Sequence, residues 1–257
     1  MATTAISDDT LARALGVYAG MVDRVLRDPE RWLGEDEDPP ATAGLPRRAL
    51  DAVRDRTLGK QNPTAAGWEQ QPMEKRVDWW VGRIGISAGL AAAAPRVVGI
   101  LADRVPLQAA LGASAAGLAV CAVAREHGLT DATDWVPLLA KVILDRELAP
   151  RADAVPPAQE SEQALDAPVP EVDEGGAEAA QPSRVAGLGR GAARAAQTLW
   201  RLSRTFLELQ HLLDERPRGG FLARTLAKLP VVGVAGGWLD ERGAIRKAAN
   251  ETTALLG

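Results

Sequence analysis

The chain has 257 residues, 46% of them hydrophobic, 25% charged and 4% aromatic, with a net charge of −4. Its apolar content is weighted to alanine while phenylalanine, tyrosine and isoleucine are scarce, which argues against a β-rich fold and predicts an all-α helical bundle. One cysteine, Cys121, excludes an intramolecular disulfide and a Cys-rich zinc site, two histidines offer little for imidazole ligation, and no metal or other cofactor is expected.

Residues 1–15 do not place a basic stretch before an apolar run, so no signal peptide is expected and the chain reads as cytoplasmic. From Ser7 onward, Leu11, Leu15, Tyr18, Val22 and Leu26 recur at spacings of three and four, the pattern of one face of an amphipathic helix. The run GEDEDPP at 34–40 ends it. A short helix opened by Pro46 is expected over 45–58, then a loop over 59–72, and together these make an N-terminal region of residues 1–72.

Residues 73–149 form an Ala/Gly-rich helical region. Helix is expected through 73–124 with breaks at Pro95 and at 103–106, giving a helical hairpin. A further helix over 130–148 takes Thr130 or Asp131 as its cap, with Pro137 as a kink or as the true start. Within this region, 106–124 carries no charge over nineteen residues. At about 1.5 Å per residue that length nearly matches a hydrocarbon core of roughly 30 Å. Only Leu107, Leu111, Leu118, Val120 and Val123 supply strong transfer energy, so the composition suits a membrane-facing helix and a buried packing helix alike.

Residues 150–183 hold six prolines and eight acids against one basic residue, Arg151, and read as a disordered acidic linker with no core of its own. The charge then reverses: 184–228 carries nine basic residues against Glu208, Asp214 and Glu215. Leu199, Leu202, Phe206, Leu209 and Leu213 lie at helical spacing, a second helix is expected over 221–229, and a Gly-rich apolar patch leads into an amphipathic terminal helix. This region, 184–257, is expected to pack on the middle one.

The small-residue helix followed by AVAREHGLTDATD, in which an apolar helix ends at His-Gly and restarts after Asp, resembles the middle of the EcsC family. The closing LPVVGVAGG with its charged helix is similar to that family's end. The resemblance spans about residues 73–148 and 195–254. It implies a helical, membrane-associated protein and carries over no catalytic residue.

Several motifs bear on chemistry. Gly85-Ile86-Ser87-Ala88-Gly89 matches the nucleophile-elbow pattern, in which glycines permit the sharp strand-to-helix turn that exposes a serine. A serine hydrolase built on Ser87 also needs parallel strands, an acid and a histidine such as His211, so helix packing is the simpler use of these glycines. Gly187-Leu188-Gly189-Arg190-Gly191 looks like a phosphate-cradling loop but follows no strand and lacks the Lys-Ser or Lys-Thr pair. Gly82, Gly85 and Gly89, and again Gly233 and Gly237, are spaced for close approach of helices, within the chain or between copies of it. Trp79, Trp80, Trp135 and Trp238 flank the apolar segments and suit a membrane interface or a core.

Arg190, Arg194, Arg201 and Arg204 share one helical face opposite the Leu199, Leu202 and Phe206 stripe, as in a helix lying on an anionic membrane. The net charge and the lack of a recognisable module argue against nucleic acid. The expectation is therefore a non-enzymatic helical protein attached to or partly inserted in the inner membrane face, binding anionic lipid or a membrane protein. A serine hydrolase using Ser87 and a soluble scaffold that oligomerises are the alternatives.

Overall fold

The computed structural model describes residues 7–33, 62–93, 105–167, 190–214 and 237–257, and every regular element among them is an α-helix. The helices are α1 (Asp8–Arg27), α2 (Pro29–Leu33), α3 (Met73–Ala93), α4 (Val105–Glu126), α5 (Ala132–Leu144), α6 (Ala158–Asp166), α7 (Arg190–Asp214) and α8 (Gly237–Leu256). The helices expected over 45–58 and 221–229, the patch that includes Gly233, and residues 168–183 lie outside the described residues.

The α1 helix starts where its sequence provides a cap: the Ser7 side chain accepts from the Thr10 amide at 3.2 Å. Asp8 and Asp9 sit in its first turn and Arg24 and Arg27 in its last, complementing the helix dipole at both ends. All five residues of the expected stripe are buried. So are Ala12, Gly16, Ala19 and Gly20, because α1 is covered by helices on more than one side.

At the centre stands α4. Its composition is apolar all round, which in a water-soluble setting is stable only inside other helices. Helices α1, α3, α5, α7 and α8 all pack against it, and every residue from 113 to 124 is buried. The window Ala109–Glu126 meets the length and hydropathy of a membrane span, yet 78% of it is buried within the fold. Small side chains let the neighbours close in: a Cβ on Gly117 would lie 2.9 Å from the Tyr18 hydroxyl. That hydroxyl donates to the Ser114 carbonyl at 2.5 Å, and the Tyr18 ring meets Phe206 of α7 edge-on at 4.9 Å.

The end of α4 is a Schellman-type stop. Gly128 takes φ +93°, and the Leu129 amide returns to the Ala124 carbonyl at 3.0 Å. The chain then restarts at α5, where Asp131 is the cap, accepting from the Thr133 amide at 2.8 Å. Pro137 falls inside α5 and is neither its start nor its end.

The expected linker differs from the structure in its first half. Residues 150–167 pack on the bundle, with Ala154 and Leu165 buried and α6 lying against α1 and α7. Two glycines of α1 let this segment approach closely. A Cβ on Gly16 would overlap the Ala154 carbonyl oxygen, and one on Gly20 would stand 2.6 Å from the Ser161 Oγ. Burying a leucine contributes about 1.5–3 kcal/mol. In α8, Ala244, Ile245, Ala248, Ala249 and Thr252 face inward against α3, α4 and α5.

Candidate functional site

The arginine row expected on α7 exists, but its surroundings are not those of a free amphipathic helix. Leu199, Leu202 and Phe206 are buried in the bundle core, so this part of the apolar stripe faces protein, while the Leu209 and Leu213 side chains lie outside the described residues. The polar side of α7 meets the C-terminal end of α2, where carbonyls lack intrahelical donors. Arg194 Nη1 donates to the Arg31 carbonyl at 3.4 Å, and Thr198 Oγ1 donates to the Trp32 carbonyl at 2.8 Å. The Leu33 carbonyl accepts from the buried Arg83 of α3. Three consecutive carbonyls of α2 are thus capped from two other helices.

One turn further along α7, Arg201 Nε donates to the Ala167 carbonyl, just past α6, at 3.0 Å. Arg201 is half-buried; burial lowers its pKa, and the nearby Asp166 carboxylate opposes that shift. Arg204 is exposed, its guanidinium 5.6 Å from the Trp200 ring centroid. The Arg190 side chain lies outside the described residues. Carbonyl and indole partners orient these cations without neutralising them.

Sequence reasoning missed Arg31, which joins the same face from α2. Its guanidinium donates to Glu162 at 2.7 Å and to Asp166 at 3.1 Å, both on α6, and lies 4.3 Å from the Trp32 ring centroid. Glu162 and Asp166 are four residues apart, so a single helix face presents both carboxylates to one arginine. The hydrogen bond that Arg31 donates to Glu162 leads the causes that raise the Arg31 pKa.

Ser87 occupies no elbow. The residues before it, where a nucleophile elbow needs a strand, are part of α3, and Ser87 sits in mid-helix, 1% exposed, with its Oγ donating to the Arg83 carbonyl at 3.1 Å. Among its flanking glycines Gly85 is buried, while Gly82 and Gly89 are partly so. Gly237 opens α8, and Gly233 lies outside the described residues. Close approaches are found at Gly16, against the Ala154 backbone, at Gly20, against Ser161 of α6, and at Gly117, against Tyr18 of α1. The first two carried the signal in plain view, a Gly-x-x-x-Gly spacing identical to that of Gly233 and Gly237.

Of the tryptophans expected near the apolar ends, Trp79, Trp80 and Trp135 fill the core, 6%, 1% and 0% exposed, and the Trp238 side chain lies outside the described residues. Trp80 and Trp68 donate their indole N–H groups to the Glu126 carboxylate at 2.8 and 3.1 Å, and Arg76 Nη1 adds a third bond at 2.5 Å. This carboxylate, 7% exposed, ties the 62–71 loop and α3 to the end of α4. Among the described residues no three His, Cys, Asp or Glu side chains form a group able to hold a metal ion. Comparison of the chain with protein-family models, with curated proteins and with solved structures gives no match.

Proposed function

We propose that this chain is a non-enzymatic helical protein that acts by association, attaching peripherally to an anionic membrane surface through the cationic face of α7 and α2. The observation that carries this reading is the state of that face. Arg194 and Arg204 are exposed and meet a carbonyl and an indole ring, so their charge stays available. A basic side chain near an anionic leaflet contributes about 1 kcal/mol. The resemblance to the EcsC family points the same way.

Burial of most of 109–126 and of Leu199, Leu202 and Phe206 favours surface attachment over insertion. Binding then rests on charge and not on apolar area. The test is co-sedimentation with vesicles of phosphatidylcholine alone and of phosphatidylcholine mixed with phosphatidylglycerol. The expected result is binding that needs phosphatidylglycerol, weakens with salt, is lost in alkaline carbonate, and falls in Arg194→Gln/Arg204→Gln. No binding to either vesicle overturns the reading. The same burial favours, as the second reading, a soluble helical scaffold that makes no lipid contact.

A further inference from the structure

We propose that residues 145–167 are a displaceable strap that holds the cationic face of α2 and α7 in a masked state, and that an anionic surface competes with the strap's own carboxylates for that face. The proposal rests on the lipid reading above and adds its regulation.

The strap leaves α5 at Asp145, crosses α1, and ends in α6. Ion pairs fasten it along its length: Arg146 to Asp8 at 2.6 Å, Arg151 to Asp9, and Arg31 to Glu162 and Asp166. Both partners in each pair keep a third or more of their side chains in water, for example 44% for Arg31 and 54% for Asp166. Pairs of this kind contribute about 0–1 kcal/mol each and weaken with salt. The α6 helix has nine residues and no side-chain cap at Pro157, too short to persist once detached. Its buried residues are Ser161 and Leu165.

The strap's closed position is nonetheless specific. Gly16 and Gly20 leave room for the Ala154 carbonyl and for Ser161, room that any larger residue would fill. A seat of defined shape combined with a weak electrostatic hold describes an element with two states, closed and released.

The mask acts by charge. With α6 in place, Arg31 faces two carboxylates, and Arg201 is held by the Ala167 carbonyl beside Asp166. Release frees both and places Arg31 and Arg201 beside Arg194 and Arg204 on one face. Phosphodiester anions and the strap then compete for Arg31 and Arg201, so an anionic surface that engages these two, beyond the already exposed Arg194 and Arg204, excludes the closed strap. If the two Arg31 pairs together contribute about 1 kcal/mol, their loss raises vesicle affinity roughly five-fold.

Two variants release the strap by unrelated means. Gly16→Ala displaces it sterically with no change of charge, while Glu162→Gln/Asp166→Asn removes the ion pairs and keeps the packing. Glu69→Gln/Glu74→Gln, on exposed residues of the loop and of α3, makes the same net-charge change away from the strap. Affinity for phosphatidylglycerol vesicles is measured together with amide hydrogen exchange over 158–167.

The expected result is about five-fold tighter binding by Glu162→Gln/Asp166→Asn than by wild type or the Glu69/Glu74 control, tighter binding also by Gly16→Ala, and exchange over 158–167 rising when wild type binds vesicles. Wild-type binding with that exchange unchanged overturns the strap and leaves the lipid reading standing, as does faster exchange in Gly16→Ala without tighter binding. If no form binds, both readings fall. Should circular dichroism show Gly16→Ala unfolded, the Glu162/Asp166 variant against its control decides.

Discussion

The indole N–H of Trp80 donates to the Glu126 carboxylate across 2.8 Å, joining residues 46 positions apart at the end of the central helix. Trp68 and Arg76 complete the set, and the three rings of Trp68, Trp79 and Trp80 stack edge to face with centroids 5.5 and 4.8 Å apart. The carboxylate is therefore fully engaged by donors on one loop and one helix. Removing it leaves an enclosed guanidinium and two indole donors without their acceptor, a change that costs about 3 kcal/mol. Glu126→Ala is expected to lower the urea midpoint accordingly and to alter the tryptophan fluorescence of the native state. An unchanged midpoint would show that the cluster is ornamental to stability.

Two glycines of α4 give opposite outcomes on substitution. Gly117→Ala drives a methyl group to 2.9 Å from the Tyr18 hydroxyl, so Tyr18 must shift against Phe206 and its bond to Ser114, at a cost of about 1–3 kcal/mol. Gly112→Ala meets nothing within 4 Å and should stabilise by roughly 0.5–1 kcal/mol through helix propensity. Thermal melts of the two variants should move in opposite directions. Equal shifts would contradict the packing of α1 on α4.

Cys121 and Tyr18 are both buried, and burial is the first cause raising each pKa well above its ordinary value. A folded-state pKa above the unfolded one means stability that is whole below the unfolded value and is lost as pH rises. The unfolded values are about 8.5 for cysteine and about 10 for tyrosine, so denaturant midpoints should hold up to about pH 8 and decline above it, more steeply past pH 10. Iodoacetamide should label Cys121 only in denaturant. Fast labelling of the native protein would place the thiol near the surface.

Ser87 donates to the carbonyl one turn back and is closed off from solvent, so a fluorophosphonate probe should leave the native chain unlabelled. Ser87→Ala should change stability by less than about 1 kcal/mol, since the Arg83 carbonyl that accepts the bond belongs to the helix. Labelling that disappears in Ser87→Ala would restore the hydrolase reading.

The α1 stripe, the Leu199–Leu202–Phe206 stripe of α7, the stop at His127-Gly128 and the cap at Asp131 are all legible in the sequence, because each depends on neighbours three to five residues away. Local spacing fixes which residues share a face. It says nothing about what covers that face. Alanine and glycine are nearly neutral between lipid and protein, so residues 106–124 alone suit either solvent; five surrounding helices bury 113–124 at the core. Composition made 150–183 look coreless, yet Ala154 and Ser161 are buried against two glycines of α1 more than 130 positions earlier, and Leu165 is buried in the same core. The arginines of α7 announced their common face, but their partners at Arg31 and Ala167 come from distant parts of the chain. Periodicity is a local property of the backbone, whereas burial and charge pairing are set by long-range contacts that only the folded chain brings into being.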